Sequence, residues 1–229
     1  MNTLALTYDD GPGPHTVDIA EFLHSVGVRA TFFVVGQHVR QYPDTVGKLA
    51  ELGHLIGNHT DTHTDLLTIK DTPEKIVAEV LGLDRLIAKF LKNGQCFFRP
   101  PFGRWNPAIA DELNRDEDLR KYTGPIHWNI DDADWQIGSR RGRLPTDEVY
   151  TVEQCATAYR EKITAKGSGV VLLHDWSADA GKLGEHLRRK NRTLELTKLL
   201  IPQIAGFKFV SPEEISMQCD GTQERIERP

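Results

Sequence analysis

Nearly continuous apolar runs recur along this chain, and amphipathic helical stretches separate them. That alternation constrains the fold more than any other feature. Leu4–Tyr8, Ala30–Val35, His54–Gly57, Cys96–Phe98, Ile126–Asn129, Gly169–Leu173 and Phe207–Val210 read as seven strands. Ala30–Val35 and Gly169–Leu173 are apolar on both parities, the pattern of strands covered on both faces. Between them, Val17, Ile19, Ala20, Leu23 and Val26 mark one face of a helix over 15–26, which Gly27 stops. A second helix spans 43–52 and ends at Gly53. Thr72-Pro73 opens a third, with Ile76, Val80, Leu83, Ile87 and Phe90 as its buried stripe and Gly94 as its close. Further helices are expected over 106–114, from the Thr151–Gln154 capping box, and over 194–204.

Strands alternating with helices imply an α/β class with parallel strands. Two architectures fit: an open doubly wound sheet and a (β/α) barrel. No Gly-rich phosphate fingerprint follows the first strand, which weakens the nucleotide-binding version. Polar residues gather just after strand ends, where barrel enzymes carry their active sites. With no internal repeat and no linker, one domain is the simplest organisation for 229 residues.

Charge and cysteine content exclude several functions. A formal net charge of −5 argues against general nucleic-acid binding, which needs a basic face. No apolar run approaches the roughly 18 residues of a membrane span. Met1 lies a few residues before the first strand, which leaves no room for a leader peptide. The expectation is a cytoplasmic protein, or a secreted one whose leader has been removed. Cys96, Cys155 and Cys219 are three and widely spaced, so neither a disulfide framework nor a cysteine zinc site is suggested.

The polar clusters carry the chemistry. Thr7-Tyr8-Asp9-Asp10-Gly11-Pro12 ends the first strand. Adjacent strand residues point to opposite faces, so the two carboxylates would diverge, yet at a strand end both can reach one pocket. That arrangement suits one carboxylate binding a metal and the other moving a proton; alone, it is also good turn chemistry. Asn58-His59-Thr60-Asp61-Thr62-His63 follows the third strand. On a helical turn its two histidines would share a face and, with Asp10, give a three-ligand metal set with room for water; alone, they read sooner as two surface histidines in a polar loop. Arg99-Pro100-Pro101-Phe102-Gly103 follows the fourth strand, with an Arg able to orient a carboxylate. Asp131-Asp132-Ala133-Asp134-Trp135 and Leu172-Leu173-His174-Asp175 follow the fifth and sixth. A His leaving a buried strand there is a good general acid or base if a carboxylate such as Asp134 orients it.

In this order, Thr-Tyr-Asp-Asp-Gly-Pro, His-x-x-x-His, Arg-Pro-Pro-Phe-Gly, Asp-x-x-Asp-Trp and Leu-Leu-His-Asp resemble the polysaccharide deacetylases, the NodB-homology group or carbohydrate esterase family 4. The set runs from residue 7 to residue 175, with a closing helix and strand after it. The resemblance implies a distorted (β/α) barrel, often seven-stranded, over 1–215, followed by a polar tail over 216–229. It implies Asp10, His59 and His63 as ligands of a divalent metal, usually zinc, with cobalt or nickel as substitutes. Asp9 would be the general base acting on water at the metal, and Arg99 would hold it. His174 would be the general acid, with Asp134 as its partner. The backbone N–H near Phe102 would stabilise the oxyanion. Trp135 and Leu172 would wall a pocket for the acetyl methyl. Tyr8 stands where Phe is more usual and Phe102 where Tyr is frequent.

The implied activity is metal-dependent hydrolysis of N-acetyl groups from N-acetylglucosamine units of a glycan, either a chito-oligosaccharide or a peptidoglycan-like polymer. O-deacetylation of acetylxylan, hydrolysis of a small amide on the same fold, and a non-catalytic carbohydrate-binding protein are the alternatives. The last is disfavoured because no catalytic position is substituted. Outside these motifs, His15, His24, His38, His54, His127 and His186 match no ligand spacing and read as structural. Trp176 is the best sugar-stacking candidate. The loop over 136–150, with Arg140, Arg141 and Arg143, and the Arg188-Arg189-Lys190 run read as solvated surface.

Overall fold

The computed structural model describes residues 2–92, 95–139, 149–179 and 181–215. The strands are β1 (Thr3–Asp9), β2 (Thr31–Val34), β3 (Leu55–Asn58), β4 (Phe97–Phe98), β5 (Gly169–His174) and β6 (Lys208–Phe209). They form one parallel sheet in the order β4-β3-β2-β1-β5, with β6 beside the first residues of β1. The helices are α1 (Thr16–Ser25), α2 (Gly36–Gln41), α3 (Thr45–Glu51), α4 (Pro73–Ile87), α5 (Pro107–Arg115), α6 (Val152–Lys166), α7 (Lys182–Lys190) and α8 (Thr193–Gln203). No helix among the described residues is long and apolar enough to cross a membrane.

Among the described residues the sheet has six strands, not the expected seven. The missing one is Ile126–Asn129. Its neighbourhood makes only isolated bridges, Phe97 with Thr123 and Ile130 with Val171. Gly124-Pro125 precedes it, and Pro125 has no N–H to give a ladder. The segment nevertheless bonds to both edges of the sheet. Ile126 N–H donates to Phe98 O at 2.9 Å, and Leu172 N–H donates to Ile130 O at 2.9 Å. Two helices were not anticipated. α2 is six residues and opens on a glycine, and α7 is strongly polar.

Strand alternation sorts the two faces of the sheet. Leu4, Leu6 and Tyr8 pack with Phe32, Val34, Val171 and Leu173 under Ile19, Leu23, Leu49, Tyr159 and Leu200 from the helices. The opposite face carries Thr7 and Asp9 from β1, and the register sets Leu172 beside Thr7 and His174 beside Asp9. One face is therefore the main core, and the other delivers polar side chains to the C-terminal strand ends. Cys96 and Cys155 are buried thiols, as expected of small core residues, while Cys219 and the tail lie outside the described residues. Leu6, 1 % exposed, sits in the middle of the main core. Leu6→Ala is expected to cost about 2–5 kcal/mol in urea denaturation. A loss under about 1 kcal/mol would contradict the packing described.

Candidate metal and catalytic site

The five polar clusters meet at the C-terminal ends of β1, β3, β4 and β5. Asp9 is the last residue of β1, and Asp10 turns out of the strand with φ 72°. That left-handed residue is why neighbouring carboxylates converge here instead of diverging as strand geometry alone would dictate. Asp9 Oδ2 lies 3.7 Å and Asp10 Oδ1 3.5 Å from His59 Nε2, and Asp10 Oδ1 lies 3.2 Å from His63 Nε2.

The two histidines do not sit on a helical turn. They lie in a loop where Thr60 and His63 have φ of 70° and 60°, and that loop folds both rings to one side with centroids 5.0 Å apart. Asn58 Oδ1 accepts from Thr60 N–H at 3.0 Å, and Asp61 is gripped by both terminal guanidinium nitrogens of Arg40 at 2.8 and 2.9 Å. These contacts give the loop a hydrogen-bonded frame in place of a helix.

One ligand atom from each of Asp10, His59 and His63 lies within 4.8 Å of the other two, and all three residues are buried. The donor chemistry fits a divalent cation. His59 donates its Nδ1–H to Arg99 O at 2.7 Å, which leaves Nε2 as the free lone pair facing Asp10. Burial works against ionisation of Asp10, yet the charge of His63, with His174 beyond, holds it well below the usual carboxylate range. Burial likewise opposes protonation of His63, but Asp10, Asp179 and Asp9 raise it above the usual imidazole value. A cluster this acidic attracts positive charge, which a cation would supply.

Arg99 is fully buried. Its Nη1 donates to Asp9 Oδ1 at 2.5 Å and to Thr7 Oγ1 at 2.9 Å, and its Nε to Ile126 O at 2.8 Å. Its guanidinium stacks over the Phe33 ring at 4.2 Å. Asp9 is thus locked on one oxygen, and its other oxygen faces the ligand cluster.

Across the sheet register from Asp9 stands His174. Its Nδ1 is 2.9 Å from Asp134 Oδ1, and its backbone N–H donates to Asp134 Oδ2 at 2.7 Å. Burial opposes protonation of the ring, but the charge and hydrogen bond of Asp134, with Asp10 and Asp9 beyond, push His174 up to about 10. Asp134 opens a short helical turn after Ala133, whose φ is 54°, and Ala133 N–H is held by Asp131 Oδ1 at 2.7 Å. Trp135 shares that turn and is half-buried. Leu172 is buried on β5, two residues before His174 and on the same face.

Phe102 stands 48 % exposed with φ 60°, its ring 4.7 Å from that of His63. The turn is closed by Gly103 N–H to Pro100 O and Arg104 N–H to Pro101 O, both 3.1 Å, so its closure does not use the N–H of Phe102.

Several contributors lie outside the motifs as read. Thr7 Oγ1 relays Arg99 to Val171 O at 2.6 Å. His38 donates Nδ1–H to Asp10 O at 2.7 Å, a structural role that supports the left-handed turn at Asp10. Gly11 is required because a Cβ there would run into the buried carboxyl of Asp175, which accepts from Thr16 Oγ1. Burial, joined by Asp10 and Asp9, pushes Asp175 up to about 7. Ala178 N–H reaches Asp10 Oδ2 at 3.0 Å, and Asp179 Oδ1 is 3.5 Å from His63 Nδ1. Arg188 is half-buried and bonds to Ser177 O, which corrects the solvent-facing reading for that residue, while Arg189 is exposed as expected. Trp176 packs against Gly13, and Trp128 packs in the core beside Ala5 and Val170. Arg140, Arg141 and Arg143 lie outside the described residues.

Comparison with known proteins agrees with the geometry. A family model described as polysaccharide deacetylase matches residues 1–117. A chitooligosaccharide deacetylase from Rhizobium leguminosarum bv. trifolii is 36% identical over 180 residues, covering 74% of this chain and 70% of that protein. A peptidoglycan-N-acetylglucosamine deacetylase from Bacillus cereus is 31% identical over 170 residues, covering 74% of this chain and 58% of that protein. Among solved structures, the catalytic domain of a peptidoglycan N-acetylglucosamine deacetylase from Eubacterium rectale superposes with a TM-score of 0.66 at 22% identity. That match covers 99% of this chain and 94% of the other and supports the fold. The motifs, the site they build and the matching family model agree that this chain belongs to the polysaccharide deacetylase family.

Proposed function

We propose that this enzyme hydrolyses the N-acetyl group of N-acetylglucosamine units in a chito-oligosaccharide or peptidoglycan-like glycan. The observation that carries the reading is the buried Asp10–His59–His63 cluster flanked by two differently supported proton-transfer groups, Asp9 on Arg99 and His174 on Asp134. The relatives named as chitooligosaccharide and peptidoglycan deacetylases support the substrate class.

Asp10, His59 and His63 would hold a divalent metal, and we favour zinc because a carboxylate with two imidazole nitrogens suits it. When bound, such an ion supplies Lewis acidity, polarising the acetyl carbonyl and lowering the pKa of water there from about 15.7 towards about 7. The remaining chemistry belongs to the chain. Asp9, fixed on one oxygen by Arg99, uses the other to take a proton from the attacking water. His174, kept protonated by Asp134, gives a proton to the departing amine, which otherwise leaves poorly. The Phe102 N–H donates to the developing oxyanion, an interaction worth roughly 3 kcal/mol in a well-aimed case. Trp135 and Leu172 wall the acetyl methyl and select modestly against longer acyl groups. We further read residues 1–215 as a single deacetylase domain. The hydrogen bonds of the 123–130 segment to β4 and β5 support its closure into a distorted barrel.

Acetate release from chitin oligomers, peptidoglycan and acetylxylan, measured side by side, tests the substrate assignment. Release from the first or second is expected. Release from acetylxylan alone would replace the N-acetyl reading with an O-acetyl one.

The His174–Asp134 pair has a pH consequence. His174 works in its protonated form, which persists below its raised pKa and is lost as pH climbs through it. Asp134→Asn removes the main support of that form and leaves burial to oppose it. The alkaline limb of kcat is therefore expected to move to lower pH by about one unit or more. An unmoved limb in a pH–rate profile would mean that Asp134 does not support the acid.

A further inference from the structure

We propose that Asp179 is a positioning residue of the metal site, orienting His63 through its Nδ1, and that α7 exists to hold it there. This rests on the metal-site reading above.

Histidine ligands almost always donate their second ring N–H to a carboxylate or a carbonyl, which sets the tautomer and the direction of the lone pair. His59 meets that need with Arg99 O. For His63 the group beside the second nitrogen is Asp179, with Oδ1 at 3.5 Å from Nδ1, while Nε2 faces Asp10. The residue before it acts on the same cluster, since Ala178 N–H donates to Asp10 Oδ2 at 3.0 Å and leaves Oδ1 turned to both histidines. Two of the three ligands therefore take their outer support from consecutive residues, 178 and 179.

That pair lies in the excursion between β5 and α8, away from the ligand motifs. Its backbone is tied down by α7. Arg188 Nη1 donates to Asp179 O at 2.6 Å and to Ser177 O at 3.2 Å. Gly184, buried on the same helix, lies so close that a Cβ would collide with Asp179 O. The absence of a side chain at 184 lets the helix rest directly on the peptide that presents the carboxylate.

The test uses the full chain stripped of metal, with zinc alone as the probe and its affinity measured by competition with a chromophoric chelator. Asp179→Asn is expected to weaken zinc binding by about 10–100-fold. Gly184→Ala should weaken it in the same direction by displacing Asp179. The metal-free thermal midpoint of Asp179→Asn should match the parent, because the carboxylate is half-exposed and the amide keeps its shape, and the visible spectrum of its cobalt-loaded form should change. His63→Ala is the reference for complete loss. Zinc affinity of Asp179→Asn within about twofold of the parent, while His63→Ala binds no zinc, would overturn this inference and leave the metal site standing. Parental affinity in both variants would overturn the metal site itself.

Discussion

Asp9→Asn is expected to reduce turnover by about 10²–10⁴-fold while the metal stays bound, the range over which a positioned general base contributes. The substitution keeps the shape of the side chain and a partner for Arg99, but an amide cannot take a proton from water. Asp9 Oδ1 is committed to Arg99 Nη1 at 2.5 Å, so the catalytic burden falls on Oδ2, the oxygen nearer the ligand cluster. The structural cost is real but separate. Arg99 is wholly buried, and losing its counter-charge leaves it less compensated, which can cost several kcal/mol of stability when one partner of such a pair is removed. Thermal denaturation of the variant measures that cost, and metal content with acetate release measures the catalytic one. A variant that loses its metal along with activity would move Asp9 from the proton-transfer role into the ligand set.

His63→Ala, or equally His59→Ala, is expected to empty the site and abolish activity together. Three ligands are few for a divalent cation, and removing one leaves a carboxylate and a single imidazole. The loop around them is not held by the cation alone. Asn58, Arg40–Asp61 and the bonds of Thr62 to Glu79 tie it to β3, α2 and α4. The variants should therefore remain folded, with unchanged far-ultraviolet circular dichroism, while elemental analysis finds no stoichiometric metal. Full metal occupancy in either would remove that histidine from the ligand set.

These two results depend on residues whose types announced their roles. Adjacent aspartates at a strand end, paired histidines, an arginine before two prolines, and a histidine closing an apolar strand are chemically conspicuous. The central strands were legible for the same reason. Ala30–Val35 and Gly169–Leu173 have no solvated parity and can only be buried. Ile126–Asn129 alternates apolar Ile126 and Trp128 with polar His127 and Asn129, follows Pro125, and pairs with the sheet through only a single bridge on each side. The turn at Asp10 and the loop carrying His59 and His63 depend on left-handed residues that are not glycines, which strand and helix periodicity cannot anticipate. The support from Ala178 was invisible for a different reason. A backbone N–H leaves no mark on residue identity, and it meets Asp10 across 168 positions of sequence. Arg188 illustrates the same limit, because a guanidinium in a charged run looks solvated until the carbonyls it caps are folded beneath it.

Amide hydrolysis is proposed to depend on a metal held by Asp10, His59 and His63. Acetate release from a short N-acetylglucosamine oligomer tests it most directly, measured on the protein as purified, after exhaustive treatment with chelator, and after zinc or cobalt is restored. Release is expected to disappear with chelator and to return with the metal in wild type but not in His63→Ala. Release that persists undiminished in the stripped protein would contradict it.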